Sequence, residues 1–131
     1  MATRSQAREA VAGLLYAYEI GNDNIDSFAQ DILDEKKIRN KQQEFAMGLF
    51  NGVLKHLVDI DALIGEKLKG WDFEKLGGME KALLRLAVYE LVYEKTDRAV
   101  VINEAVELSK RFCTEQTPKF VNGVLDAIEV E

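Results

Sequence analysis

The chain has 131 residues, of which 47% are hydrophobic and 31% are charged, so it can build one domain with a buried core. No apolar run approaches the roughly 20 residues that span a bilayer, and the N-terminus lacks the apolar segment of a secretory signal, so we expect a cytoplasmic protein. The formal charge of −6 argues against general nucleic-acid binding, because phosphate contacts depend on lysine and arginine.

Apolar residues recur every three or four positions through most of the chain, a pattern that predicts an all-helical fold. Polar residues able to cap a helix mark the starts of four helices in the first half: Thr3, Asp26, Asn40 and Asp59. Gln6 and Gln43, each three residues after a cap, predict capping boxes on the first and third helices. Gly21 has the position of a glycine that ends the first helix.

The stretch GWDFEKLGG, residues 70–78, is the predicted boundary between the two halves of the chain. Its aromatic residues, Trp71 and Phe73, are expected to plug the junction. A helix over residues 80–93 follows, apolar on several sides and therefore buried. Another covers residues 100–112, and the last starts at Thr117-Pro118, which gives about seven helices in all.

Asn-Gly, a pair typical of tight turns between strands, occurs twice inside helical patterns. It lies in GLFNGVLKHL, residues 48–57, and in KFVNGVLDAI, residues 119–128. A glycine inside a helix costs about 1 kcal/mol relative to alanine. We therefore expect another backbone or a ligand to approach closely at Gly52 and at Gly123. The repeat fits either an internal duplication or chance similarity between helices rich in valine and leucine.

Motifs of catalysis and metal binding are absent: the sequence has no CxxC, HExxH, phosphate loop or dinucleotide fingerprint. The only histidine, His56, falls near a helix end, and the only cysteine, Cys113, has no recognisable base, so we expect structural roles for both. Glu104 and Glu107 fit an exposed helix face. We predict a protein that is not an enzyme and that has no metal site and no cofactor.

Basic residues form three local clusters that could offset the acidic charge. Arg4 and Arg8, four residues apart on one helix, share a face and could contact successive phosphates. The second cluster lies in a connection between helices: Lys36, Lys37, Arg39 and Lys41. Arg111 and Lys119 form the third, near the start of the last helix. Nearby aromatic residues favour single-stranded RNA, with core packing as the plainer alternative: Tyr16, Tyr18 and Phe120.

Four segments together resemble the NusB family of bacterial transcription antitermination factors. They are Arg4-x-x-x-Arg8 with Leu15-Tyr16, MEKALLRLAVYEL at 79–91, VINEAVELSKRF at 101–112 and KFVNGVLD at 119–126. The resemblance implies one domain, residues 1–131, of two packed helical bundles, about 1–70 and 71–131. It also implies a protein that binds boxA RNA of ribosomal RNA operons together with the ribosomal protein NusE. With other Nus factors on RNA polymerase, such a complex suppresses termination.

The resemblance implies site residues as well. Six positions match RNA contacts of the family: Arg4, Arg8, Tyr16, Lys119, Phe120 and Asn122. Two match positions that face NusE: Tyr18 and Glu80. Ser5 and Gln6 interrupt the run of arginines that some members have at the N-terminus, which indicates low intrinsic RNA affinity and dependence on NusE.

Two alternatives stay open. A NusB-like domain also forms the N-terminal part of certain ribosomal RNA cytosine methyltransferases, whose cofactor-binding domain and catalytic cysteine would have to follow residue 131. The chain could instead be a homodimeric assembly module whose pairing masks the RNA surface. Sequence alone does not separate these cases, because apolar residues of a core and of an interface look alike.

Overall fold

The computed structural model describes residues 1–131 and consists of seven α-helices without a strand, as predicted. The helices are α1 (Arg4–Glu19), α2 (Ile25–Glu35), α3 (Asn40–Lys55), α4 (Leu57–Lys67), α5 (Gly78–Val92), α6 (Arg98–Phe112) and α7 (Thr117–Asp126). A short 3-10 helix, Phe73–Lys75, lies between α4 and α5. None of the helices has the length and apolar character needed to cross a membrane.

The ends of α1 follow the local rules of the sequence. The Thr3 hydroxyl accepts a hydrogen bond from the Gln6 N–H (3.0 Å), and the Gln6 side chain accepts one from the Thr3 N–H (2.8 Å). These two bonds complete the predicted capping box. Beyond the last turn the chain reverses at Gly21, whose φ of +110° favours glycine.

Four other predicted caps lie inside the helices that they were expected to precede, and one of them, Asn40, is the first residue of α3. Asp26 and Asp59 fall in the first turns of α2 and α4, where a carboxylate interacts favourably with the helix dipole. Because only His56 separates α3 from α4, the fourth helix already begins at Leu57. Thr117 is the first residue of α7, and the proline that follows lies where a missing N–H costs nothing.

The central helix is α5, which packs against α1, α3, α4, α6 and α7. Ten of its fifteen residues are buried, so the prediction of a helix buried on several sides is confirmed. One cluster of 29 buried apolar residues extends from Ala7 in α1 to Ile128 beyond α7. Both halves of the chain therefore share a core, whose burial is the main stabilising contribution. The division at residue 70 stays a prediction.

Buried charges join α5 to α1 and α4. Arg85 donates from Nε and Nη2 to the Asp61 carboxylate, both at 2.8 Å, and from Nη1 to Glu19 at 2.7 Å. Lys81 adds a hydrogen bond to Glu19 at 3.0 Å. Phe73 packs on the core and lies 5.2 to 5.3 Å from the two cationic groups, so it plugs the junction as predicted.

The two Asn-Gly pairs have different surroundings. A Cβ on Gly52 would overlap the ring of Tyr89 in α5, so the group that approaches Gly52 closely is a side chain and not the predicted backbone or ligand. Tyr89 in turn stacks on Tyr93, and His56 stacks on Tyr93 with ring centres 4.1 Å apart. A Cβ on Gly123 would meet nothing within 4 Å. The prediction that another backbone approaches Gly123 is wrong, because that side of α7 is open, and the approach of a ligand stays a prediction.

Candidate nucleic-acid interface

Arg4 is exposed at the start of α1 and is held in place by an aromatic ring. Its guanidinium carbon lies 4.3 Å from the ring centre of Phe45 in α3. Arg4 takes part in none of the ion pairs of the structure. A cation–π contact orients a guanidinium without neutralising it. Arg4 is therefore an oriented positive charge on the surface, as a phosphate contact requires.

Arg8 differs from the predicted phosphate contact because its side chain lies in the interior, only 5% exposed. It donates from Nε and Nη2 to Glu90 at 2.8 and 2.9 Å, and from Nη1 to Glu104 at 3.3 Å. Burial alone would lower the pKa of Arg8, but hydrogen bonding and charge attraction to Glu90, then to Glu104, raise it. In this arrangement the guanidinium is charged and its hydrogen bonds are made inside the protein.

The hydrogen bonds around Arg8 also involve Glu104 and Ser5. Glu104, predicted on an exposed face, is half-buried and also accepts a hydrogen bond from the Ser5 hydroxyl at 2.6 Å. Ser5 thus ties the first turn of α1 to α6. Arg4 and Arg8 do not share an exposed face, and the first helix presents one free arginine rather than two.

The basic connection between α2 and α3 is exposed and anchored. Its basic side chains, Lys36, Lys37 and Arg39, lie on the surface without an ion pair, as does Lys41 in the first turn of α3. Ile38 between them is buried, and Lys37 and Asn40 have φ values of 61° and 57°, unusual for residues with a side chain. The predicted capping box on α3 is wrong, because the Gln43 amide donates instead to the Ile38 carbonyl (3.1 Å). The connection therefore holds its cations outward in a fixed turn.

Tyr16 and Glu80 lie at a contact between α1, α5 and α7. The Tyr16 ring, with 38% of the residue exposed, lies against Gly78 at the first turn of α5. The Glu80 carboxylate accepts hydrogen bonds from the Gly77 N–H (2.9 Å) and the Thr117 hydroxyl (3.3 Å). Glu80 thus caps α5 and fixes the start of α7.

Tyr18 is separated from Tyr16 on the helix. Two residues correspond to a rotation of about 200° in an α-helix, so the two rings leave α1 on different sides. Tyr18 is half-buried and packs against the main core, whereas Tyr16 faces the start of α5. The expected contacts of Tyr18 and Glu80 with a partner stay predictions.

The predicted RNA-facing residues of the last helix lie together on its first turns. Lys119 and Asn122 are exposed, and Lys119 has no ion-pair partner. Phe120 is half-buried and packs against the core, and its expected contact with RNA stays a prediction. Gly123, one turn after Phe120, leaves the adjoining helix surface open.

Trp71 was missed as a candidate site residue, and the prediction that it plugs the junction is wrong. It is 64% exposed, and its ring lies on that of Phe120, with centres 5.9 Å apart and planes at 60°. The available signal was a tryptophan in a glycine-flanked turn between two lysines, Lys69 and Lys75. Such a residue is more typical of a binding surface than of a core.

An open groove of about 960 Å³ runs beside α1, between the end of α2 and the end of α6. Its floor is apolar and includes small residues of α1: Ala10, Gly13 and Ala17. Lys36 and Lys37 lie among its lining residues, as does Arg111, which pairs with Glu9. The groove combines apolar contact with positive charge, and neither a histidine nor a cysteine lines it.

The remaining candidate reactive groups, His56 and Cys113, are both packed against other side chains or partly buried. His56 is stacked on Tyr93. Cys113 is half-buried, and burial, with a smaller effect of the Glu80 charge, raises the pKa of its thiol, which disfavours a nucleophilic thiolate. No group of histidine, cysteine, aspartate and glutamate side chains is arranged to hold a metal ion.

Residues 5–130 match the family model described as the NusB family. A protein from a Nitratiruptor species, named Transcription antitermination protein NusB, is 63% identical over 131 residues. The match covers all of this chain and 94% of that relative.

Two solved structures share the fold. NusB of T. maritima has a TM-score of 0.90 and 38% identity, covering 97% of this chain and 90% of that chain. A chain in a structure of the antitermination factors NusB and NusE in complex with dsRNA has a TM-score of 0.85 and 34% identity. That match covers 95% of this chain and 94% of that chain, so the likeness extends over the whole helical fold.

Proposed function

The chain belongs to the NusB family, and we propose on this premise that it is a transcription antitermination factor that binds boxA RNA of ribosomal RNA operons together with NusE. The observation that carries the proposal is the 63% identity, over the whole of this chain, to a protein named Transcription antitermination protein NusB. The likeness to a NusB chain solved with NusE and dsRNA supports the pairing of an RNA with a protein partner.

Two sets of exposed groups supply the proposed RNA contacts. The first is Arg4, which lies on the ring of Phe45 in the helix that follows the basic connection. The second is the start of α7, where Lys119 offers a charge, Phe120 an aromatic ring and Asn122 an amide. Phosphate contacts fix the position of an RNA, and aromatic rings take up unstacked bases.

Tyr16 and Arg8 have different parts in this proposal. Tyr16 is exposed, and its ring lies beside Gly78 in the first turn of α5. Glu80, two residues after Gly78, accepts the hydrogen bond that holds the start of α7. We assign Tyr16 to the RNA surface. Arg8 is a positioning residue, because its bonds to Glu90 and Glu104 fix the direction in which α1 presents Arg4.

The acidic balance of the chain favours a basic protein partner. A charge of −6 attracts a positively charged ribosomal protein and raises the rate of association. Tyr18 and Glu80, both half-buried and held by internal contacts, would shape the surface that meets NusE. The resulting complex, with other Nus factors, would act on RNA polymerase.

The proposed role is binding, without a catalytic step and without a cofactor. The reactive side chains of the sequence are engaged in packing, as the stacked His56 and the half-buried Cys113 illustrate. Transcription is the process on which the proposed complex acts, so we infer that the protein acts in the cytoplasm. The shared core favours residues 1–131 acting as one unit.

Transcription in vitro tests the proposal. Bacterial RNA polymerase transcribes a template with boxA upstream of a terminator, in the presence of the other Nus factors and NusE. Adding the chain should raise read-through on this template and leave a template with scrambled boxA unchanged. Equal read-through on both templates would remove antitermination at boxA as the function.

A further inference from the structure

We propose that Trp71 is a base-stacking residue of the RNA surface and forms an aromatic corner with Phe120. The inference rests on the proposed RNA-binding function and adds a residue from outside α7 to it. Trp71 is the only tryptophan of the chain, and 64% of it is exposed. The ring centres of Trp71 and Phe120 are 5.9 Å apart and the ring planes are tilted by 60°. Two aromatic rings from different segments of the chain therefore lie at one place on the surface.

The backbone around Trp71 holds the indole outward. Gly70 has a φ of +78°, in the left-handed region that favours glycine, and turns the chain after α4. Asp72 caps the 3-10 helix by accepting a hydrogen bond from the Glu74 N–H at 3.1 Å. Phe73 is packed on the core. Trp71 thus lies between a turn and an anchored residue, so its exposure is part of the fold.

The charges near this corner favour RNA over an acidic protein segment. Three exposed lysines adjoin the two rings in sequence, and none of them has an ion-pair partner: Lys69, Lys75 and Lys119. Glu74 lies 3.8 Å from the Lys81 ammonium, which offsets its charge. Asp72 accepts the capping hydrogen bond. Unpaired cations beside exposed aromatic rings are the combination that single-stranded nucleic acid uses.

The helix surface next to Phe120 leaves room for a base. Gly123 lies three residues after Phe120 and so on the same side of α7, and apart from the neighbouring backbone of α7 no atom lies within 4 Å of the place of its missing Cβ. The glycine was expected to accommodate a close approach, and no part of the chain itself approaches. A base stacked on Trp71 and Phe120 would extend over this open surface.

A fluorine label on Trp71 tests the inference directly. Because the chain has one tryptophan, 5-fluorotryptophan gives a single ¹⁹F resonance. Single-stranded boxA RNA is added to the labelled chain in the presence of unlabelled NusE. The resonance should shift when RNA is added and stay in place when NusE alone is added. A shift with NusE alone would identify the corner as a protein interface and overturn the inference.

Affinity measurements separate the inference from the function on which it rests. Trp71→Ala should weaken boxA RNA binding about 5- to 150-fold, the range for loss of one stacked base, and Trp71→Phe should restore most of the affinity. Phe28→Ala, which removes another exposed ring (54% exposed) on α2, is the matched control and should leave the affinity for boxA RNA unchanged. If Trp71→Ala binds as tightly as the wild type, stacking is refuted and the function stands. If the wild type binds no RNA, both fail.

Discussion

Arg8 and Glu90 form a two-pronged ion pair in the interior, with Nε and Nη2 of the arginine donating to the two carboxylate oxygens at 2.8 and 2.9 Å. The pair joins α1 to the central helix across 82 positions of the sequence. Both side chains are at least 95% buried. Arg8, which the resemblance led us to expect in contact with RNA, thus has a structural role in this chain.

Removing either partner should destabilise the fold. Arg8→Ala leaves Glu90 as an unpaired buried charge, and the expected loss is about 3–5 kcal/mol in the free energy of unfolding. Replacing both residues, as Arg8→Met with Glu90→Leu, should recover much of that loss because no charge remains buried. Urea unfolding followed by circular dichroism measures both. A loss below about 1 kcal/mol for Arg8→Ala would show that the pair is exposed in solution.

Arg4 and Arg8 should differ in the salt dependence of RNA binding. Arg4→Gln removes a phosphate contact, so the slope of log affinity against log salt should fall in magnitude by about 0.7. Arg8→Met, measured where it is folded, should keep the wild-type slope. Lys55→Gln, about 15 Å from Phe45 along α3, is the control for loss of an exposed positive charge. An equal drop in slope for Arg8→Met would place Arg8 at a phosphate.

The two Asn-Gly glycines should respond oppositely to alanine. Gly52→Ala forces the Tyr89 ring out of its place beside His56 and Tyr93, at a cost of about 1–3 kcal/mol. Gly123→Ala meets no atom and removes a flexible residue from a helix, so it should stabilise the protein by up to about 1 kcal/mol. Thermal unfolding of the two variants measures the difference. A destabilised Gly123→Ala would contradict the open surface on α7.

Glu19 should make stability sensitive to acid. Partial burial alone would raise its pKa, but hydrogen bonds from Arg85 and Lys81 and the attraction of their charges lower it below the ordinary 4.5. A carboxylate with a lowered pKa stabilises the fold above its unfolded pKa, and that contribution is lost as the pH falls through the folded pKa.

Glu19→Gln removes this contribution at every pH. The variant should be less stable than the wild type at neutral pH, and the difference should shrink as the pH falls below the ordinary value of 4.5 and through the lowered pKa of Glu19. Urea unfolding at a series of pH values gives both curves. Parallel curves over that range would show that Glu19 is not the group responsible.

Local rules predicted the helices well because caps, glycines and apolar periodicity act within a few residues. The Thr3 capping box and the turn at Gly21 depend on neighbours in the sequence and were found as expected. Asp59 does not cap α4, because α4 begins two residues earlier, at Leu57. One residue separates α3 from α4, a spacing that no local rule specifies. The buried character of α5 followed from its apolar residues on several sides.

The candidate site was less predictable because it depends on contacts between distant segments. The spacing of Arg4 and Arg8 on one helix is compatible with a shared exposed face. Only the fold shows that Glu90 and Glu104, far away in the sequence, bind Arg8 in the interior. Trp71 and Phe73 are two residues apart with similar hydrophobicity, yet one is exposed and the other packs on the core. The contacts of Phe73 with Lys81 and Arg85 of α5, which no local rule specifies, distinguish the two.

Titration of boxA RNA tests the central claim most directly. Fluorescence anisotropy of a labelled boxA RNA is measured with the chain alone, with NusE alone and with both, beside a scrambled RNA of the same composition. The pair should bind boxA RNA about ten-fold or more tightly than either protein alone, and more tightly than the scrambled RNA. Equal affinity for the two RNAs, or no gain from combining the proteins, would contradict the account.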